Sequence, residues 1–143
     1  MKRADCILIK GKKNNLIENK IRELNKTIDI FYFEYKPIDI KNYLDKSVIA
    51  FAGIGNPEGF FELLKKNNIN TLKNFPFPDH HNYTDHEIKK LINQAKENGA
   101  TLLTTEKDFL RIKKEFHDKL SVLKIELIIE KKNELMDKIK RIT

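Results

Sequence analysis

The run Val48-Ile49-Ala50-Phe51-Ala52, closed at once by Gly53-Ile54-Gly55, constrains this chain more than any other stretch. Consecutive apolar residues leave no polar face, so a strand made of them must be covered on both sides, as in a parallel sheet with helices on its two faces. The glycine turn leads to Asn56, suited to capping a helix, and to Pro57, suited to its first turn. Phe60, Phe61 and Leu64 then recur at helical spacing. Strand, tight turn and helix in that order are the repeating unit of α/β folds.

The remaining apolar periodicity repeats the unit. Residues 5–10 read as a strand closed by Gly11, and 15–26 as a helix burying Leu16, Ile17, Ile21 and Leu24. Residues 28–35 form the next strand, ended by Pro37. A strand over 71–77 runs into Pro76 and Pro78, which force an extended or turning path before Asp79. Thr84 and Glu87 make a capping box for a helix that stops before Gly99. A buried strand over 101–105, a helix over 106–116, a strand over 122–129 and a helix over 133–142 complete the chain. At 143 residues one core is expected rather than two. The expectation is a single α/β domain over 1–143, a Rossmann-like three-layer sandwich with a mostly parallel sheet.

Apolar residues at 40% and charged residues at 34% suit a soluble globular chain. The longest apolar stretches fall far short of the roughly 20 residues of a membrane-spanning helix. The opening Met1-Lys2-Arg3 is basic, but the apolar run after it is short and no small-residue cleavage site follows, so no secretory signal is expected. One cysteine, Cys6, excludes an intramolecular disulfide and fits a reducing cytoplasm. The net charge of +7 favours an acidic partner, whether nucleic acid, anionic lipid or a phosphorylated substrate. The lysines are dispersed along helices, as on solvated faces, and neither a reading helix nor stacking aromatics for specific nucleic-acid binding is present.

In open parallel sheets ligands bind beyond the carboxyl ends of the strands. Three polar segments fall there. The first, with Gly53, Gly55 and Asn56, offers backbone N–H groups that phosphate could approach closely, although two glycines and a helix cap also account for it. No Gly-x-x-x-x-Gly-Lys-Ser/Thr phosphate loop occurs in the chain. The second, Asp79-His80-His81, sets a carboxylate beside imidazoles that exchange protons near neutral pH, and loop histidines that only fix turns would look the same. No Asp-x-Asp pair accompanies it, and no metal site is expected. His86 and His117 read as surface or helix-end residues. The third, Thr104-Thr105-Glu106-Lys107-Asp108, contains a helix cap and favourable first-turn acids, and leaves Lys107 free to neutralise phosphate.

Together, Ala50-Phe51-Ala52-Gly53-Ile54-Gly55-Asn56-Pro57-Glu58, Phe77-Pro78-Asp79-His80-His81-Asn82-Tyr83-Thr84 and Leu103-Thr104-Thr105-Glu106-Lys107-Asp108 resemble, in wording, order and spacing, the tetraacyldisaccharide 4'-kinase family. The opening Arg3-Ala4-Asp5-Cys6-Ile7-Leu8-Ile9 resembles a strand near the middle of those enzymes, so the likeness covers the chain and matches their C-terminal part. The resemblance implies the C-terminal domain of a two-domain P-loop-type kinase. It implies phosphorylation of the 4'-hydroxyl of a tetraacyl glucosamine disaccharide in lipid A biosynthesis, at the cytoplasmic face of the inner membrane. ATP and Mg2+ would be bound mainly by an N-terminal phosphate-loop half expected upstream of Met1, leaving this chain incomplete alone. A histidine of the Asp79-His80-His81 segment, His80 before His81, would pair with an aspartate of that half. Gly53, Gly55, Asn56, Thr104, Thr105, Glu106, Lys107 and Asp108 would lie near substrate or nucleotide. Gly59 departs from the arginine frequent in the family. The alternative is a non-catalytic phosphate- or partner-binding module that retains the fold.

Overall fold

The structure, a computed structural model, describes residues 4–142; Arg3, quoted with the opening strand, lies outside them. Among the described residues the elements run β1 (Cys6–Lys10), α1 (Asn15–Leu24), β2 (Asp29–Pro37), β3 (Ser47–Ala52), α2 (Pro57–Lys66), β4 (Asn70–Pro76), α3 (Asp85–Glu97), β5 (Thr101–Thr105), α4 (Glu106–Arg111), β6 (Ser121–Leu123), β7 (Ile125–Ile129) and α5 (Lys132–Ile142). Short 3-10 turns occur at Ile40–Asn42 and Lys114–Lys119. The chain divides into two compact units. One takes the described residues up to Lys36 together with those from Glu126 onward, and the other is Pro37–Ile125.

The Pro37–Ile125 unit is organised by the apolar run Val48-Ile49-Ala50-Phe51-Ala52. Val48 to Ala52 are each 0% exposed, at the centre of a parallel sheet of order β4-β3-β5-β6. Strand alternation sends Val48, Ala50 and Ala52 toward Phe60, Phe61 and Leu64 of α2. Ile49 and Phe51 pack with Ile88, Leu91 and Ala95 of α3, backed by Leu102, Ile112 and Phe116. Burying each such large side chain contributes about 1.5–3 kcal/mol. The layers are therefore helix, sheet, helix. From β3 the chain steps outward through α2 to β4, then returns through α3 to β5 on the other side of β3. That reversal makes the carboxyl ends of β3 and β5 the topological switch point, where clefts form in such sheets.

The other unit has a three-stranded sheet of order β1-β2-β7, with β1 parallel to β2 from Cys6 opposite Asp29 to Lys10 opposite Phe33. Gly11 turns the chain at φ +102° while its N–H donates to the Phe33 carbonyl at 2.8 Å. The buried residues here are Ile21, Ile28, Phe31, Tyr32 and Leu135. Asn14 caps α1, and the Tyr32 hydroxyl accepts from the Asn14 N–H and donates to Glu18.

Three expectations need correction. Of the α1 stripe only Ile21 is buried; Leu16, Ile17 and Leu24 are 76%, 42% and 72% exposed, because nothing among the described residues stands over the outer part of the helix. The strand expected over 122–129 is split at Lys124, whose carbonyl accepts from the Ile38 N–H and whose N–H donates to Asp39, so β6 and β7 enter different sheets. The helix expected over 106–116 ends at Arg111, and residues 114–119 tighten into a 3-10 turn.

Candidate functional site

All the strand-end segments meet at Gly53. Its N–H donates to Asp108 Oδ2 at 3.1 Å, while its carbonyl accepts from Arg111 Nη1 at 3.0 Å and from the His80 N–H at 3.1 Å. One residue before it, the Ala52 carbonyl accepts from Phe77 N–H at 2.8 Å. A Cβ at position 53 would sit 2.8 Å from the Tyr83 hydroxyl, 3.1 Å from His81 Cβ and 3.2 Å from the Pro78 carbonyl. Glycine is required there by close approach.

Asp108 is the hub of the corner, 0% exposed. Oδ2 accepts from the Gly53 N–H and from the Thr105 hydroxyl at 2.7 Å; Oδ1 accepts from the Tyr83 hydroxyl at 3.0 Å and lies 3.4 Å from Arg111 Nη2. Three hydrogen bonds and one ion pair thus converge on a single carboxylate. Burial, reinforced by the neighbouring Asp108 carboxylate, pushes the Tyr83 phenol well above its ordinary range. Thr105 caps α4 by accepting from the Asp108 N–H. Thr104 is enclosed, its hydroxyl donating to the Phe51 carbonyl, so it ties β5 to β3 and does not face solvent. Glu106 and Lys107 are exposed at the rim.

The two imidazoles have parted company. His81 Nε2 lies 3.1 Å from Glu87 Oε1, and the ring packs 4.8 Å from Phe77 and 5.0 Å from Tyr83. Glu87 in turn accepts from the Thr84 N–H and hydroxyl, completing the capping box of α3; the Thr84 N–H foremost, then its hydroxyl, holds the Glu87 carboxyl below its ordinary value. His81 is thereby a structural member of an aromatic cluster with Phe51, Phe77 and Tyr83. His80 sits at φ +56° with its side chain 85% exposed. Its N–H is shared between the Gly53 carbonyl and Asp79 Oδ1 at 3.0 Å, and its Nε2 lies 3.8 Å from Asp79 Oδ2. A Cβ on Gly55 would stand 3.4 Å from Asp79 Oδ2, so the glycine turn and the acidic loop share one rim. Asn56 caps α2 through the Gly59 N–H at 3.0 Å. His117 stacks on Phe109 and donates to the Ile112 carbonyl, a helix-end role as expected.

Sequence reasoning brought the right segments together but missed Tyr83 and Arg111, which hold them. The signal for Arg111 was its position one turn after Asp108; for Tyr83 there was only an aromatic residue beside the histidines. Among the described residues no group of three or more His, Cys, Asp or Glu side chains could hold a metal ion.

The family model described as LpxK, tetraacyldisaccharide-1-P 4'-kinase, matches residues 1–143. A tetraacyldisaccharide 4'-kinase of Rickettsia canadensis is 38% identical over 142 residues, covering 95% of this chain and 41% of that protein. One of Pelagibacter ubique is 30% identical over 142 residues, covering 97% and 45%. A crystal structure of LpxK from Aquifex aeolicus in complex with ATP aligns over 96% of this chain and 52% of that one, with a TM-score of 0.57 at 21% identity, a likeness of fold.

Proposed function

Because this chain belongs to the tetraacyldisaccharide-1-P 4'-kinase family and spans less than half the length of those curated relatives, we propose that it forms the C-terminal part of such a kinase. The reaction would move the terminal phosphoryl group of ATP to the 4'-hydroxyl of a tetraacyl glucosamine disaccharide, a lipid A precursor. The observation that carries the reading is the corner at Gly53: at the switch point of a parallel sheet, His80 is fixed through its backbone while its imidazole stays open to a ligand or partner. Phosphoryl transfer depends chiefly on alignment and charge neutralisation, with a group to receive the attacking hydroxyl's proton. His80, steadied on one side by Asp79, orients and shares a proton with an acidic base contributed across the cleft. Lys107 at the rim neutralises phosphate charge, and the Gly55 turn lets backbone N–H groups approach it.

Mg2+ and most nucleotide contacts would fall to the N-terminal phosphate-loop half that the family resemblance implies, where the ion would neutralise phosphate charge. The lipid substrate implies peripheral work at the cytoplasmic face of the inner membrane; no helix among the described residues is long and apolar enough to cross a bilayer. The test is His80→Ala in a protein completed with the N-terminal half. Turnover should drop about a hundredfold to ten-thousandfold with a smaller change in KM. Near-normal turnover would remove His80 from the mechanism, and a wild-type complex that assembles yet transfers no phosphate would instead indicate a binding module.

A further inference from the structure

One ion pair grips Gly53 on both of its peptide groups. The Gly53 N–H donates to Asp108 Oδ2 and its carbonyl accepts from Arg111 Nη1, while Arg111 Nη2 stands 3.4 Å from the other Asp108 oxygen. Arg111 Nε donates to the Lys107 carbonyl at 3.2 Å, so all three nitrogens of this half-buried guanidinium are engaged in the corner. Both partners come from α4, three residues apart and hence on one face of the helix. Glycine leaves the bonds on either side of residue 53 freer than any other residue would, which makes an outside grip on its carbonyl consequential.

The same carbonyl accepts from the His80 N–H at 3.1 Å. His80 has φ +56°, a left-handed backbone that a residue bearing a Cβ rarely adopts and keeps only where its surroundings hold it there. Two acceptors share its N–H. Asp79 Oδ1 belongs to the adjacent residue, whose side chain is half exposed, and it moves with the loop; the Gly53 carbonyl ties the loop to the end of β3. Arg111 binds that second acceptor and sets the direction in which it points.

We propose that Arg111 is a positioning residue for phosphoryl transfer: it orients the Gly53 carbonyl that holds His80 in its left-handed backbone, and so fixes the direction in which the exposed imidazole leaves the loop. The inference rests on the catalytic reading of His80 given above. Arg111 acts through Gly53 and not upon the reacting groups. A lysine in its place keeps a charge opposite Asp108 but lacks the planar fork that reaches Gly53, Asp108 and the Lys107 carbonyl together.

The first measurement is made on this chain alone. A left-handed residue brings its amide and α hydrogens closer together than extended or helical backbone does, so His80 should give a strong intraresidue cross peak in nuclear Overhauser spectra. In Arg111→Met and in Arg111→Lys that peak should weaken at least about twofold as His80 leaves the left-handed region, while the amide shifts of Ile88 and Leu91 in the core stay in place. Should Arg111→Met fail to fold, Arg111→Lys carries the same comparison. An unchanged His80 peak overturns the proposal, and so does loss of circular dichroism in Arg111→Lys, which would make Arg111 a residue of the fold and not of the loop. The second measurement is turnover in the protein completed with the N-terminal half. Arg111→Lys should lower kcat about tenfold to a hundredfold, the scale of a small misplacement of a reacting group, with KM for ATP little changed. Added to His80→Ala, it should lower turnover no further, because it works only through that imidazole. Losses that multiply would mean that Arg111 acts on its own, and the positioning role falls. Near-normal turnover in His80→Ala would sink the catalytic reading instead, and the cross peak would still decide whether Arg111 sets the loop.

Discussion

Asp108 shows how a single buried side chain can decide the shape of a corner. Donors face both of its oxygens, Gly53 N–H and the Thr105 hydroxyl on one, Tyr83 and Arg111 on the other. Asp108→Asn, though nearly isosteric, must turn its amide group toward donors whichever way it is placed. Each donor left unpaired by burial costs about 1–3 kcal/mol, so urea denaturation should report a loss of about 2–3 kcal/mol. Tyr83→Phe removes one donor and should cost about 1 kcal/mol. Gly53→Ala drives a methyl group against the Tyr83 hydroxyl and the Pro78 carbonyl. Because Tyr83→Phe relieves the first of those contacts, the double variant should be less destabilised than the sum of the singles; strict additivity in the cycle would show that the two groups do not meet. Spacing marked Asp108 as a favourable first-turn acid, and the family resemblance set it near substrate or nucleotide. Its burial depends on Gly53, 55 positions earlier, and nothing local signals such a partner.

At the scale of elements, local chemistry was legible wherever it was self-contained. The Thr84 and Glu87 capping box, the Asn56 cap and the Gly99 stop with φ +58° all follow from spacing alone and all occur. What spacing could not convey is that Glu87 serves two masters, bonding Thr84 on one oxygen and His81 on the other. Its folded carboxyl lies below the ordinary value of 4.5, so the stabilisation it provides is complete above that pH and is lost as pH falls through the lower folded value. Wild type should therefore lose more thermal stability between pH 5 and pH 3 than Glu87→Gln does, since the amide does not titrate. Equal losses would mean that the α3 start is insensitive to the carboxylate. The α1 helix failed in the opposite direction: its amphipathic stripe is plain in the sequence, but a stripe does not say whether its cover lies within the same stretch of chain. Periodicity reports a demand for burial, and here the demand on Leu16 and Leu24 is unmet among the described residues.

For the molecule as a whole, the sequence suggested one sheet where the structure has two. The cause is local in origin and global in effect. Leu123 and Ile125 belong to adjacent strands, and the intervening Lys124 spends both backbone groups on the 38–39 segment, so an apparently continuous apolar run serves two sheets. This division argues for a separation of stability. The Pro37–Ile125 unit has a contiguous chain, its own parallel sheet and cores on both sheet faces, with Val48 to Ala52 fully enclosed. Those are the attributes of a piece that folds alone, although at about 90 residues it buries a smaller fraction of its surface than a larger domain would. A polypeptide of residues 37–125 should give a single cooperative denaturant transition and retain the tyrosine environment set by Asp108. That environment is readable as an ionisation of Tyr83 far above the ordinary phenolic range, its burial being the first cause and the adjacent carboxylate the second. If the excised piece instead melts without cooperativity, or titrates all its tyrosines together near the ordinary value, then the corner at Gly53 is held by more than its own residues.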